Sequence, residues 1–271
     1  MRVAGLLKRA PGSGALFLFA LSALSIFALQ WPMGAVAADC AAVVNDHFKV
    51  KYVHDGDTIH LVGGQKVRLI GINTPELGRD RKPAEPYGIE ARDALRRLLK
   101  TEPRIGVQYG QERHDRHGRV LAHLYLSDGR NIQQWLLENG YAIAIVVAPN
   151  LKNVDCYRQA EQHARNNRLG LWRQVAHFAR DAVALQRGDE GFRLVSGRVT
   201  GVRQTNKWSW IALGSKMSLR VARDDEQRYF AEMPLASLKQ KQVTARGWLT
   251  RRKGRWSMRI MHPGALDIDR D

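Results

Sequence analysis

Cysteine is nearly absent from this chain: 271 residues contain two, Cys40 and Cys156. No nearby metal-type spacing accompanies them, so a cysteine-based zinc site is disfavoured and pairing is the expectation. Nine histidines are scattered without a paired ligand spacing, and each reads as a solvated or internally satisfied ring. There is no glycine loop followed by lysine to cradle a phosphate, and no nucleophilic serine elbow outside the N-terminal segment. An internal repeat at a fixed short period and low-complexity tracts are missing too. Acidic residues are in deficit, with 26 Asp and Glu against 43 Lys and Arg and a formal charge of +17. Such a field favours polyanions: nucleic acid, acidic lipid or acidic polysaccharide. Apolar residues make up 44%, a normal share for a soluble globular protein, which argues against wholesale disorder.

One long apolar run exists, Ala15 to Leu29, and it follows Arg2, Lys8 and Arg9. It is short for a spanning helix, carries Ser22 and Ser25, and meets Gln30 and Pro32. Ala35-Val36-Ala37 offers a small-x-small cleavage site, so residues 1–37 read as an export signal. Asp39 stands where lipid attachment at Cys40 would need a small residue. The expectation is an exported protein, periplasmic or secreted, with no stable membrane insertion after cleavage and no protein partner. Export places Cys40 and Cys156 in an oxidising space where a disulfide persists, tying the mature N-terminus to a distant helix. Two unpaired thiols are the alternative.

Phe48, Val50 and Tyr52 alternate into the break His54-Asp55-Gly56-Asp57, and Gly63-Gly64 marks a hairpin leading to a strand over 66–72. A charged, proline-bearing loop precedes a helix over 87–100 that buries Ala91, Ala94, Leu95, Leu98 and Leu99. Strands over 105–109 and 119–126 come next, then a helix capped by Asn131, a strand over 141–147 and a helix over 155–168. These give a small β-barrel with helices over 38–175. An amphipathic stretch with Phe178, Ala182 and Leu185 on one face makes 176–190 a helical connector. Beyond it lie five strands with a helix between the third and fourth, the order of an OB-type barrel over 191–271. The fold class is therefore mainly β with helices (α+β): a five-stranded OB-type barrel followed by a second, smaller OB-like barrel.

Several charged residues sit where an ordinary strand would not put them. Asp55 and Asp57 flank a glycine, which by itself suits a solvated turn. Arg68 alternates with Ile70 and Ile72 and so falls on an apolar face, where a charge needs a partner or a ligand. Asn73-Thr74-Pro75-Glu76 follows at once, and Arg119 opens a strand just past a glycine turn. Phosphodiester hydrolysis asks for such parts. A hard cation such as Ca²⁺ takes an oxygen cage, for which Asp57, Asn73 and the Thr74 carbonyl are candidates. Glu76 is the candidate to activate water. Arg68 and Arg119 are candidates to fork onto phosphoryl oxygens.

The strings His54-Asp55-Gly56-Asp57-Thr58, Val67 to Glu76 and Asp115-Arg116-His117-Gly118-Arg119 resemble, in order, the three motifs of the thermonuclease (staphylococcal-nuclease-like) family. The similarity runs from about Phe48 to Trp172, and includes Tyr87-Gly88 and Leu169-Gly170-Leu171-Trp172. The resemblance implies an OB-type barrel and Ca²⁺-dependent hydrolysis of DNA and RNA without strict sequence choice, leaving a 3′-phosphate. It assigns Asp57, Asn73 and Thr74 to the metal, Glu76 to the general base, and Arg68 and Arg119 to phosphate. Tyr87 and Arg116 join them as nucleic-acid contacts. Two departures stand out. The founding member has aspartate where this chain has Asn73, and it has two substrate tyrosines in the segment that here reads Ala144-Ile145-Val146-Val147-Ala148.

In the second barrel Trp208, Trp210, Trp248 and Trp256 are interleaved with many basic residues, Arg246 among them. Trp208, Trp210 and the hairpin residues Arg251, Arg252, Lys253 and Arg255 are candidates for nucleic-acid binding. A tryptophan-filled core and a solvated turn explain them equally well. The leading functional reading is an exported endonuclease. Its alternatives are a non-catalytic nucleic-acid-binding module and a basic envelope protein that binds another polyanion.

Overall fold

In the first half of the chain, strands alternate short apolar stretches with tight turns and wrap into a ring. They are β1 (Asp46–Phe48), β2 (Val50–Val53), β3 (Thr58–Leu61), β4 (Lys66–Leu69) and the two-residue β5 (Ile72–Asn73). Helix α1 (Gly88–Leu99) follows, then β6 (Ile105–His114), β7 (Val120–Tyr125), α2 (Ile132–Glu138), β8 (Ile143–Ala144) and α3 (Val154–Asn166). The sheet order is β1-β6-β7-β4-β3-β2, with β4 and β7 parallel and the other pairs antiparallel. Only Lys49 separates β1 from β2, so one extended segment touches both ends of the sheet and closes it as a five-stranded OB-type barrel. The computed structural model describes residue 40 and residues 43–78, 83–102 and 104–269. The export signal expected over 1–37 lies outside them. Among the described residues no helix is long and apolar enough to cross a membrane.

The helices seal the barrel. α1 buries Ala91, Ala94, Leu95 and Leu99 on one face, whereas Leu98, expected with them, lies at its margin and is half-buried. Asn131 caps α2 by accepting from the Gln134 N–H at 2.8 Å. α3 buries Tyr157, whose hydroxyl meets His123 Nδ1 at 2.7 Å and donates to Asn131 Oδ1 at 3.2 Å. Cys156 on the same helix is joined to Cys40 by a disulfide. The strand expected over 141–147 shrinks to β8, because Ile143 and Ala144 pair with β5 whereas Val147 makes an isolated bridge to Asn150.

The segment 176–190, expected as a helical connector, is instead a 3₁₀ turn ending at His177 followed by β9 (Ala179–Asp181), which pairs in parallel with β10 (Gly191–Gln204). Phe178 packs edge-on against Trp172, with ring centres 5.3 Å apart, and strand pairing outcompetes a short helix with one weak apolar face. Then come β11 (Trp208–Leu213), β12 (Met217–Ala222), α4 (Arg223–Tyr229), β13 (Gln242–Arg252), β14 (Arg255–Arg259) and β15 (Leu266–Ile268). Pairings β10–β11, β11–β12, β12–β14, β14–β13 and β13–β10 close a second five-stranded barrel, again with one parallel pair, β12–β14. Its interior holds Ile211, Leu213, Leu219, Val221, Val243, Trp256 and Met258.

The two barrels belong to one compact unit. Ile143, Ile145, Leu171 and Trp172 from the first barrel form a joint apolar cluster with Phe192 and Leu194 from the second. Beside it lies Arg246 of β13, whose side chain is 1% exposed, so this residue is no part of a basic groove. Its guanidinium donates to Glu161 Oε2 and Asp267 Oδ2, each at 2.7 Å, and to the Ala144 carbonyl at 2.9 Å. Arg158 of α3 pairs with Asp267 as well. A buried cation thus has partners on both barrels, the condition under which burying charge is tolerated.

Candidate active site

The site begins at the turn before β3. The backbone N–H groups of His54 and Asp55 both donate to the Thr58 carbonyl, at 2.9 and 3.3 Å, which folds the four residues tightly. Gly56 is required by space: a Cβ there would lie 2.8 Å from Ala91 Cβ and equally close to the Thr74 side chain. The turn is therefore pressed between α1 and the segment after β5, and this contact carries Asp57 under Thr74.

Asp57 is buried and fully engaged. Its Oδ2 accepts from the Thr74 N–H at 3.0 Å and lies 2.9 Å from Arg68 Nη2; its Oδ1 accepts from the Thr58 hydroxyl at 3.1 Å. Burial raises its pKa to about 6, Arg68 works against that, and the charges of Asp55 and Glu76 add to it. β4 ends at Leu69, so Arg68 does not share a strand face with Ile70 and Ile72 as expected. It stands on the side of exposed Lys66, opposite the buried Val67 and Leu69, and is held by partners of its own. Besides Asp57, it donates to the Leu69 carbonyl at 2.7 Å and to Asn73 Oδ1 at 3.4 Å.

Arg119 reaches the same carboxylate from the other side, through Thr58: its Nη1 lies 3.5 Å from the hydroxyl that donates to Asp57. Asp115 aims it, accepting from Arg119 Nε at 2.7 Å and from the backbone N–H groups of His117 and Arg119. Burial opposes ionisation of Asp115, but these hydrogen bonds hold its carboxyl below the usual range. Glu76 is exposed, and its backbone is latched to Glu85: the Glu76 N–H donates to Glu85 Oε2 at 3.0 Å and the Glu85 N–H to the Glu76 carbonyl at 2.9 Å. Glu85 Oε1 in turn lies 3.6 Å from Arg193 Nη1, on the second barrel.

Asp57, Arg68, Asn73, Thr74, Glu76 and Arg119 are thus gathered around one end of the first barrel. Tyr87 packs its ring against the seam cluster, and Arg116 is exposed with its Nε against His117 Nε2 at 3.1 Å. Trp208, Trp210 and the 251–255 hairpin lie on the second barrel. Thr58 sits inside a motif string, yet only the geometry reveals it as the bridge between Asp57 and Arg119. Glu85 and Arg193 carried no sequence signal, because their contact joins residues 108 positions apart in different barrels.

The donor set fits a hard divalent cation. Asp57 offers a carboxylate; Asn73 and Thr74, both buried, offer an amide and a carbonyl oxygen 3.3 Å from the Asn73 amide nitrogen. The positive Arg68 guanidinium already spans the Asp57 and Asn73 oxygens. No cluster of three His, Cys, Asp or Glu suited to a metal occurs among the described residues, so a cation here depends on those two neutral oxygens.

Comparison with known proteins extends the picture. The model of the family described as staphylococcal nuclease homologue matches residues 66–174. The thermonuclease of Staphylococcus intermedius is 37% identical over 134 residues, covering 48% of this chain and 78% of that protein. The thermonuclease of Staphylococcus hyicus is 34% identical over 128 residues, covering 46% and 75%. Endonuclease YncB of Bacillus subtilis (strain 168) is 35% identical over 123 residues, and this chain spans 57% of its length. Two of the three motif strings fall within the matched residues, and the relatives covered over most of their length agree with them: the chain belongs to the staphylococcal nuclease family.

Proposed function

We propose that the protein is an exported, Ca²⁺-dependent endonuclease that hydrolyses phosphodiester bonds of DNA and RNA with little sequence preference. The observation that carries this reading is the convergence of Arg68 and Arg119 on Asp57, with the Glu76 carboxylate close enough for its charge to act there. The two guanidinium groups bind the phosphoryl oxygens and stabilise the charge that builds as the phosphorus gains a fifth oxygen. Glu76 accepts a proton from the attacking water, the bond from phosphorus to the 5′-oxygen breaks, and the 3′-phosphate stays behind. The leaving oxygen takes its proton from solvent. Asp57, Asn73 and the Thr74 carbonyl would hold the cation, which when bound adds positive charge beside the phosphoryl group. Export is supported by the N-terminal sequence pattern and by the disulfide, which persists in an oxidising compartment.

The test is incubation of the purified protein with plasmid and single-stranded DNA, with Ca²⁺ or with chelator. Fragmentation that needs Ca²⁺ is expected. Retention of DNA without cleavage in either condition identifies a binding module, and neither retention nor cleavage points to another envelope polyanion. N-terminal sequencing of the extracytoplasmic protein should begin at Ala38; a start at Met1 would refute cleavage.

A further inference from the structure

The second barrel turns two tryptophans outward. The buried residues of β11 are Ser209, Ile211 and Leu213, so alternation sets Trp208 and Trp210 on the outer surface, both half-buried. The core position belongs to Trp256, which is 4% exposed. Strand pairing then aligns one residue from each of four strands in a single row. Arg203 of β10 lies opposite Trp210, Trp210 opposite Arg220 of β12, and Arg220 opposite Arg259 of β14. Trp208 stands beside this row, with the guanidinium carbons of Arg220 and Arg259 5.0 and 5.8 Å from its ring centre. Arg220 Nε is buried with no hydrogen-bond partner among the described residues. The neighbouring row is polar: Ser218 pairs with Ser257, which pairs with Thr250. Past the Leu249–Met258 pair, Trp248 of β13 is 47% exposed. One carboxylate intrudes, Asp225 of α4, which accepts from Arg259 at 3.0 Å.

We propose that this outer face of β11, β12 and β14 is a second nucleic-acid site, which holds an unpaired strand apart from the cleavage centre. Flat indoles alternating with guanidinium groups offer base stacking and phosphate pairing from one surface, and neighbouring strands set them about 4.8 Å apart. A duplex hides its base faces, so the indoles select single strands. The exposed residues Arg251, Arg252, Lys253 and Arg255 extend the positive surface to the tip of the β13–β14 hairpin. The inference deepens the nuclease reading by giving the enzyme a hold on substrate remote from the scissile bond.

The experiment uses the full chain in chelator with a fluorescein-labelled oligothymidylate. The double variants Trp208→Ala/Trp210→Ala and Arg220→Gln/Arg259→Gln should each weaken binding by about tenfold or more, and Trp208→Phe should retain most of the affinity. Ultraviolet crosslinking of a bromouracil oligonucleotide to the wild-type chain should mark β11 or β12, and this holds whether or not a variant folds. Unchanged affinity in both double variants, or crosslinks confined to residues before Ala179, overturns the proposal. Cleavage of a dinucleotide by the wild-type chain with Ca²⁺ reports the catalytic centre alone. Loss of that signal sinks the nuclease reading, whereas loss of the crosslinks sinks this one.

Discussion

At the scale of single residues, the proposed site holds two arginines whose geometry is set by different means. Arg68 is held by a buried carboxylate and a backbone carbonyl, Arg119 by Asp115 and Thr58. Replacing either by alanine should lower kcat by on the order of 10²-fold or more, since a preorganised donor to the transition state is lost. Lysine should rescue poorly because it lacks the bidentate fork. Near-wild-type turnover in both alanine variants would remove the mechanism. Asn73 offers a second test. Asn73→Asp adds a charge to an all-oxygen set and should tighten Ca²⁺ binding in calorimetry, whereas unchanged affinity would mean that Asn73 is not a ligand. Arg68 was legible in the sequence because an arginine followed at strand spacing by Ile70 and Ile72 reads as a charge that needs a partner, although the strand itself ends at Leu69. Its partner was legible only as a motif, since no spacing rule relates Asp57 to Thr74 across the turn.

Among the elements, the closed barrels follow from alternation and turn residues, and both appear where the patterns place them. The failures are local and physical. Residues 141–147 are apolar enough for a strand, yet they run along the barrel's flank, where β5 offers two residues to pair with. The 176–190 segment has a helical pattern, but the open edge of β10 recruits it as β9. Arg246 looks like its basic neighbours on β13, and only assembly shows that it faces the other barrel. One link between elements bears on activity. Arg193 of β10 approaches Glu85, which latches the backbone of Glu76. Arg193→Gln should lower kcat by roughly tenfold or less, with KM for a dinucleotide little changed, because positioning of the base is lost and not phosphate binding. A pure rise in KM would contradict that role.

For the whole molecule, the seam between the barrels concentrates the ionisable groups that set stability. Burial opposes ionisation of Asp267, yet Arg246 and Arg158 bring its pKa down to about 2. Its contribution, about 2 kcal/mol, is present above pH ~4 and is lost as pH falls towards 2. His123 acts earlier. Burial lowers its pKa to about 4, so below pH ~6.5 the unfolded chain binds a proton that the folded one refuses. Denaturant titrations should therefore show stability falling in a lower limb below pH ~4. Between pH ~6.5 and ~4 the loss at His123 is offset by Asp57, whose raised pKa lets the folded chain take up a proton the unfolded chain does not. Asp267→Asn should flatten the lower limb alone; an unaltered lower limb would clear Asp267 of the effect. Arg246→Met should cost about 3 kcal/mol, because it leaves the buried Glu161 carboxylate with only the more distant Arg165 and the Ala144 N–H.

The Arg246–Glu161 pair also imposes an order in time. A chain made N-terminus first presents Glu161 long before Arg246, which follows 85 residues later. Until that arginine arrives, the Glu161 carboxylate has only Arg165 of its own helix, 3.6 Å away, and the Ala144 N–H, and the first barrel cannot reach its final stability. The catalytic half should thus ripen only when the last strands have been delivered. A chain ended at Phe178 should be cut by a general protease much faster than the complete protein, while equal resistance of the two would show that the first barrel matures alone.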